Sequence, residues 1–145
     1  MNSLEIKKII EKDDFAKEIF LGVYAIDNLP EIKTYPSGLI FNNQSIKEEG
    51  EHWLAIYFID KNRCEFFDSF GRSPKKFENV YSFIHKFSNI CMTNKFVIQN
   101  LNSSYCGLYC IYFLMLESRG LRMKDIQKLF SSKSSFNDYL ISNLI

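Results

Sequence analysis

The segment QNLNSSYCGLYC, Gln99 to Cys110, carries a cysteine and then a glycine out of a small polar loop into the apolar run IYFLMLES. A thiol is a weak nucleophile until it loses its proton, and the unpaired N–H groups and dipole of a helix N-terminus stabilise the thiolate. Cys106 stands where loop should become helix. Gly107 lets the backbone approach a substrate closely, and the Cys106 N–H is placed to meet a developing oxyanion. On this stretch alone a packing cysteine is the alternative, so the chemistry needs partners elsewhere in the chain.

A thiolate needs a base. His52 lies in EHWLAIYF at the mouth of a strand, where a side chain projects from the sheet end toward a cleft. His85 falls inside an amphipathic helical pattern and reads as a surface or half-buried residue. The imidazole in turn needs an acceptor for its Nδ1–H, and Asp68 ends the strand that should pair with the one starting after His52. In a hairpin turning near Lys61 and Asn62, the first residues of one strand face the last of the other, which makes His52 and Asp68 neighbours. Gln99, seven residues before Cys106, offers an amide as a second oxyanion donor.

The elements that must position these residues follow from patterning. NSLEIKKIIEKDD predicts an N-terminal helix with Asn2 or Ser3 as its cap, and Asp13 or Asp14 as the cap of a second short helix. FLGVYAIDNLPEIKTYPSG carries glycines and prolines that break regular structure, so a long surface connection with one short strand is expected. LIFNN reads as a short strand. WLAIYFID, Trp53 to Asp60, is apolar on both faces and reads as a central strand, with RCEFFDSF as its antiparallel partner. SPKKFENVYSFIHKF spaces Phe77, Val80, Tyr81, Ile84 and Phe87 for one amphipathic helix with Pro74 in its first turn. KFVIQ is a further strand candidate, ending at Gln99. CGLYCIYFLMLES predicts a helix from Cys106 to about Ser118, stopped by Gly120 and buried on every side, and two shorter helices follow at about Arg122 to Leu129 and Phe136 to Asn143. The expected fold class is α+β: a small, mainly antiparallel sheet packed on one central buried helix, with flanking helices, forming a single domain over residues 1–145.

Composition narrows the function classes. The 145 residues carry 18 Lys+Arg against 17 Asp+Glu, a net charge of +1, so no strong global field draws nucleic acid or anionic membrane. Cys64, Cys91, Cys106 and Cys110 lack the paired spacing of a zinc ribbon, and no metal site is expected. The N-terminus lacks a signal-peptide layout, and the run Leu108 to Leu116 is too short to span a bilayer. A soluble intracellular protein with reduced thiols, not a secreted one, is expected.

In order and with these intervals, the segments resemble the adenovirus endopeptidase (adenain) family, within the clan that includes the SUMO-specific Ulp proteases. FLGVYAIDNLP resembles that family's N-terminal segment, HWLAIYF its histidine block, CEFFDSFG its acidic block and QNLNSSYCGLYC its nucleophile block. The resemblance covers nearly the whole chain. It implies Cys106 as nucleophile, His52 as base, Asp68 as orienting acid and Gln99 as oxyanion donor, with Trp53 and Gly107 contacting substrate. It further implies a thiol endopeptidase that cleaves next to glycine in protein or peptide substrates and matures viral or transposon capsid precursors, as in adenovirus relatives and Polinton-type elements. The Gln99 to Cys106 interval, Tyr105 where SUMO proteases commonly carry Asp, and Cys110 one turn on favour this reading over a ubiquitin-like or SUMO deconjugase. The third reading, an inactive protease-like binding module, fits less well because such domains usually lose a member of the set.

The same resemblance implies an activating peptide clipped from a capsid protein and disulfide-linked to a cysteine, which makes Cys91 the candidate attachment point. It also implies stimulation by DNA, against which the neutral charge balance argues; only Arg119, Arg122, Lys124, Lys128 and Lys133 form a weakly basic face. No cofactor is needed for the chemistry itself. A monomer without membrane attachment is expected, in the virion and in the host nucleus or viral assembly site. The chain is shorter than typical adenains, and many of those carry Glu where Asp68 stands.

Overall fold

Strand β3, Trp53–Phe58, is apolar at every position, and the structure gives each of its faces a helix to pack on. Side chains alternate across a strand, so Trp53, Ala55 and Tyr57 join one buried cluster while Leu54, Ile56 and Phe58 join the other. The structure is a computed structural model that describes residues 1–44 and 52–145. Its sheet runs β1 (Phe20–Ala25), β2 (Ser37–Asn42), β3, β4 (Arg63–Phe67) and β5 (Ile90–Thr93), in that spatial order. The class is α+β, as expected, and the sheet is mixed: the central pairs β2–β3 and β3–β4 are antiparallel, the flanking pairs β1–β2 and β4–β5 parallel.

On one face lies α4, Cys106–Ser118, whose side chains are wholly or partly buried along its length. It needs apolar residues all round because β3 covers one side while α1 (Ser3–Glu11), α5 (Met123–Ile126) and α6 (Ser134–Leu144) close the others through Ile6, Ile10, Met123, Ile126 and Ile141. Phe113 stacks on Phe67 of β4 at a centroid distance of 5.0 Å. Gly120, at φ +95°, ends the helix in the left-handed region. Asn2 caps α1 by accepting the Glu5 N–H at 2.9 Å, and the Asp13 carboxylate accepts the Ala16 N–H at 2.8 Å where the short α2 (Ala16–Ile19) begins. On the other face α3, Val80–Phe87, buries Val80 and Ile84 against Leu39, Phe58 and Phe66.

Two expectations are corrected here. The amphipathic segment after Ser73 is not one helix: Pro74–Lys76 form a single 3-10 turn capped by Ser73, Phe77 is extended, and α3 begins only after Asn79, at φ +68°. Phe77 leaves the helical path to pack its ring on Phe66 and beneath the Arg72 guanidinium. KFVIQ is not a strand either, and the edge position belongs to β5 instead. The Ile98 and Gln99 N–H groups both donate to Ser69 O, at 2.8 and 3.0 Å, so this segment is tied to the loop after β4 and not to a strand ladder. Gly71, at φ +71°, permits that approach: a Cβ there would lie 2.8 Å from the Phe96 carbonyl.

Among the described residues no helix is long and apolar enough to cross a membrane.

Candidate active site

The β3–β4 hairpin brings His52, just before β3, to Asp68, just after β4: His52 Nε2 lies 2.6 Å from Asp68 Oδ1. The sequence argument assigned this contact to Nδ1; the ring presents Nε2 to the acid. Asp68 is fully buried and held from every side. Its Oδ1 also accepts the Phe70 N–H at 3.1 Å, and its Oδ2 accepts both the N–H and the Nε–H of Arg72, at 3.1 and 2.7 Å. The Asn94 amide clasps its backbone, accepting the Asp68 N–H and donating to the Asp68 carbonyl. Burial would raise the Asp68 pKa, but the bonds from His52 and Arg72 outweigh it and hold the group below its ordinary value. Phe70 stacks on the imidazole with centroids 4.8 Å apart and fixes the ring plane.

Cys106 opens α4, and no side chain caps that end, so the first N–H groups of the helix face the sulfur's surroundings. Its Sγ accepts the Trp53 N–H at 3.4 Å, and Cys106 shares the wall of one cavity with His52. Burial would raise the thiol pKa, yet the His52 and Trp53 bonds and the imidazole charge bring it below the ordinary value. Burial would likewise lower the His52 pKa, and Asp68 and Cys106 outweigh it and raise it. The two opposite shifts favour a thiolate–imidazolium pair. Cys110, one turn on, is fully enclosed, and burial pushes its thiol well up.

Gln99, His52, Trp53 and Cys106 line one cavity of about 400 Å³, together with Phe70 and Arg72. Gln99 Nε2 donates to the Ser103 carbonyl and hydroxyl, both at 3.0 Å, and its Oε1 accepts from Ser69 Oγ at 2.5 Å. A carbonyl only accepts, so the nitrogen must face Ser103 and the Ser69 hydroxyl must donate. Gly107 is not on the cavity wall. Above it sit Met1 Sδ and Trp53 Cδ1, each 3.2 Å from where a Cβ would stand, and Trp53 Nε1 donates to the Met1 carbonyl at 3.0 Å.

Cys91 lies on β5 directly opposite Cys64 of β4, half-buried on the α3 face and away from the cavity. The Cys64 hydrogen bond lowers the Cys91 pKa. Of the tail cations, Arg119 is spent on Asp13, with contacts of 2.6 and 2.9 Å, which thins the basic face, and Arg122 donates to Glu117 at 3.0 Å. Sequence reasoning missed Ser69, Phe70, Arg72, Asn94 and Met1. The DSFGR run held the signal for the first three, since a turn that exposes Asp68 must wrap the following residues around its carboxylate. Nothing in the pattern pointed to Asn94 or Met1.

A family model described as adenovirus endoprotease matches residues 20–125. The proteases of Bovine adenovirus 2 and Bovine adenovirus C serotype 10 are 31% and 32% identical to the chain over 88 residues, covering 52% of it and 42% and 45% of those proteins. The aligned part of the chain thus spans less than half the length of these curated relatives. Among solved structures, the crystal structure of an ASFV protease superposes with a TM-score of 0.60 at 13% identity, over 97% of this chain and 65% of that one, a likeness of fold.

Proposed function

The chain belongs to the adenovirus endoprotease family, and on that premise we propose that it is a cysteine endopeptidase in which Cys106, His52, Asp68 and Gln99 do the chemistry. The observation that carries this reading is His52, whose Nε2 is fixed by Asp68 at 2.6 Å and which lines the same cavity as the Cys106 thiol at a helix N-terminus. The Cys106 thiolate adds to the carbonyl carbon of the scissile peptide bond, and the carbonyl electron pair moves onto oxygen. The oxyanion is received by the Cys106 N–H and by Gln99 Nε2, which exchanges one of its Ser103 bonds for it. When the intermediate collapses, the C–N bond breaks and the departing amine takes the His52 proton. Water then gives a proton to His52 and its hydroxide attacks the thioester, releasing the acid and the thiolate.

Cleavage next to glycine in viral structural-protein precursors is the proposed specificity. Trp53 and Phe70 line the cavity together with Cys106, and these bulky rings support a residue without a side chain there. The chemistry calls for no metal or cofactor; an activating peptide held through Cys91, and a monomeric enzyme, remain part of the proposal.

The test is cleavage of peptides with a Gly-Gly core, read by mass spectrometry, with capsid-derived peptide and DNA added in parallel arms. Cys106→Ala should abolish cleavage and Cys64→Ala should leave it near the parent rate; equal cleavage by both variants and the parent sinks the assignment.

A further inference from the structure

Among the described residues, Arg72 is the one side chain with a permanent charge on the wall of the catalytic cavity. It also lines a second cavity of about 630 Å³, which shares Asn43 with the first, so it stands where the two join. Its guanidinium is unusually constrained for a residue at the surface. Nε is anchored on Asp68 at 2.7 Å, and the planar group lies over two rings, Phe70 at 5.5 Å and Phe77 at 5.0 Å. Rotamer freedom, the usual cost of using a long cationic side chain for recognition, has already been given up on folding. Among the described residues the two Nη groups make no hydrogen bond, and the side chain is 41% exposed. What remains is an oriented pair of N–H donors beside the reacting groups.

Resting on the endopeptidase reading above, we propose that Arg72 is a specificity-determining residue that receives an acidic side chain of the peptide substrate, on the His52 side of the scissile bond. A carboxylate meets the two Nη donors in the geometry a guanidinium fork favours, and the aromatic faces keep the fork aimed at the groove. The preference belongs to one position only. The second cavity is lined by Glu78 as well as Lys76, so an acidic residue lying deeper in it meets a charge of its own sign.

Arg72 also clamps Asp68, so its loss lowers the rate on every substrate; the ratio between substrates isolates recognition from positioning. The experiment is a peptide library with a fixed Gly-Gly core and flanking positions carrying Asp, Asn or Lys, with kcat/KM read for the parent and for Arg72→Gln, which keeps an N–H donor for Asp68. At one flanking position the parent should cleave the Asp peptide about fivefold faster than the Asn and Lys peptides, shrinking in about 0.5 M NaCl. In Arg72→Gln the ratio should fall to about one while all peptides slow together. Cleavage by the parent with no acidic preference at any position, or a preference that survives Arg72→Gln, overturns the inference and leaves the endopeptidase reading standing. Absence of all cleavage by the parent, with and without activators, overturns that reading and this inference with it.

Discussion

Ser69 Oγ donates to Gln99 Oε1 at 2.5 Å, while the Ser69 carbonyl accepts the Ile98 and Gln99 N–H groups, so one residue sets both the position and the facing of the proposed oxyanion donor. Without the hydroxyl the amide loses its reason to keep oxygen inward and nitrogen toward the cleft. Ser69→Ala should therefore lower kcat about tenfold, a fraction of the effect of deleting an oxyanion donor outright, with KM little changed. A buried Oε1 left without a donor should also cost about 1–2 kcal/mol of stability. Steady-state kinetics and urea unfolding measure the two effects separately.

The opposed shifts at Cys106 and His52 predict a wide pH window. Because the thiol is lowered and the imidazole raised, the ion pair should form below the ordinary thiol value of about 8.5 and persist above the ordinary imidazole value of about 6.5. The midpoint of iodoacetamide alkylation of Cys106 against pH should lie below the ordinary thiol value of about 8.5. In His52→Ala the largest influence left on the thiol is burial, which raises it, so that midpoint should move up.

How far the sequence reaches is visible in these same residues. The hairpin interval was enough to make His52 and Asp68 neighbours, because antiparallel pairing is set by the turn between the strands. It did not reveal which ring nitrogen faces the acid, since that depends on where the sulfur sits in three dimensions. The helix of Cys106–Ser118 was legible because a segment apolar all round has one fate in a small protein. The strand expected at KFVIQ was not, because its N–H groups answer to the Ser69 carbonyl, a tertiary partner outside any local pattern. The helix break at Asn79 was hidden for the same reason: Phe77 follows Phe66 and Arg72 and not its own periodicity.

Gly71→Ala should damage both stability and turnover. The new methyl would sit 2.8 Å from the Phe96 carbonyl at a φ of +71°, so backbone must shift, at a cost of about 1–3 kcal/mol. The displaced segment leads directly into Gln99, so kcat should fall further than a stability loss of that size explains. Comparing the folded fraction by circular dichroism with kcat at the same temperature separates the two.

Glu117 gives the protein a stability that declines with pH. Among the described residues its Oε2 has no hydrogen-bond partner, and the Glu65 carboxyl is close enough to act on it. Two neighbouring buried carboxyls repel unless one of them keeps its proton. Burial first, and then Glu65, push the Glu117 pKa from 4.5 to about 10, so in the folded chain it carries that proton. Below the unfolded value of 4.5 both states are protonated and the folded form bears no penalty. As pH rises toward 10 the unfolded chain releases a proton that the folded chain keeps, and stability falls. The loss by pH 7 is about 3.5 kcal/mol at most, from about 1.4 kcal/mol per pH unit over the interval above 4.5. Glu117→Gln preserves the acceptor for Arg122 and supplies an N–H for Glu65 without a titrating proton. Urea unfolding should find it more stable than the parent by about 1–3 kcal/mol at pH 7, with the gap closing near pH 4. A gap of constant size across that range would show that Glu117 does not hold a proton through folding.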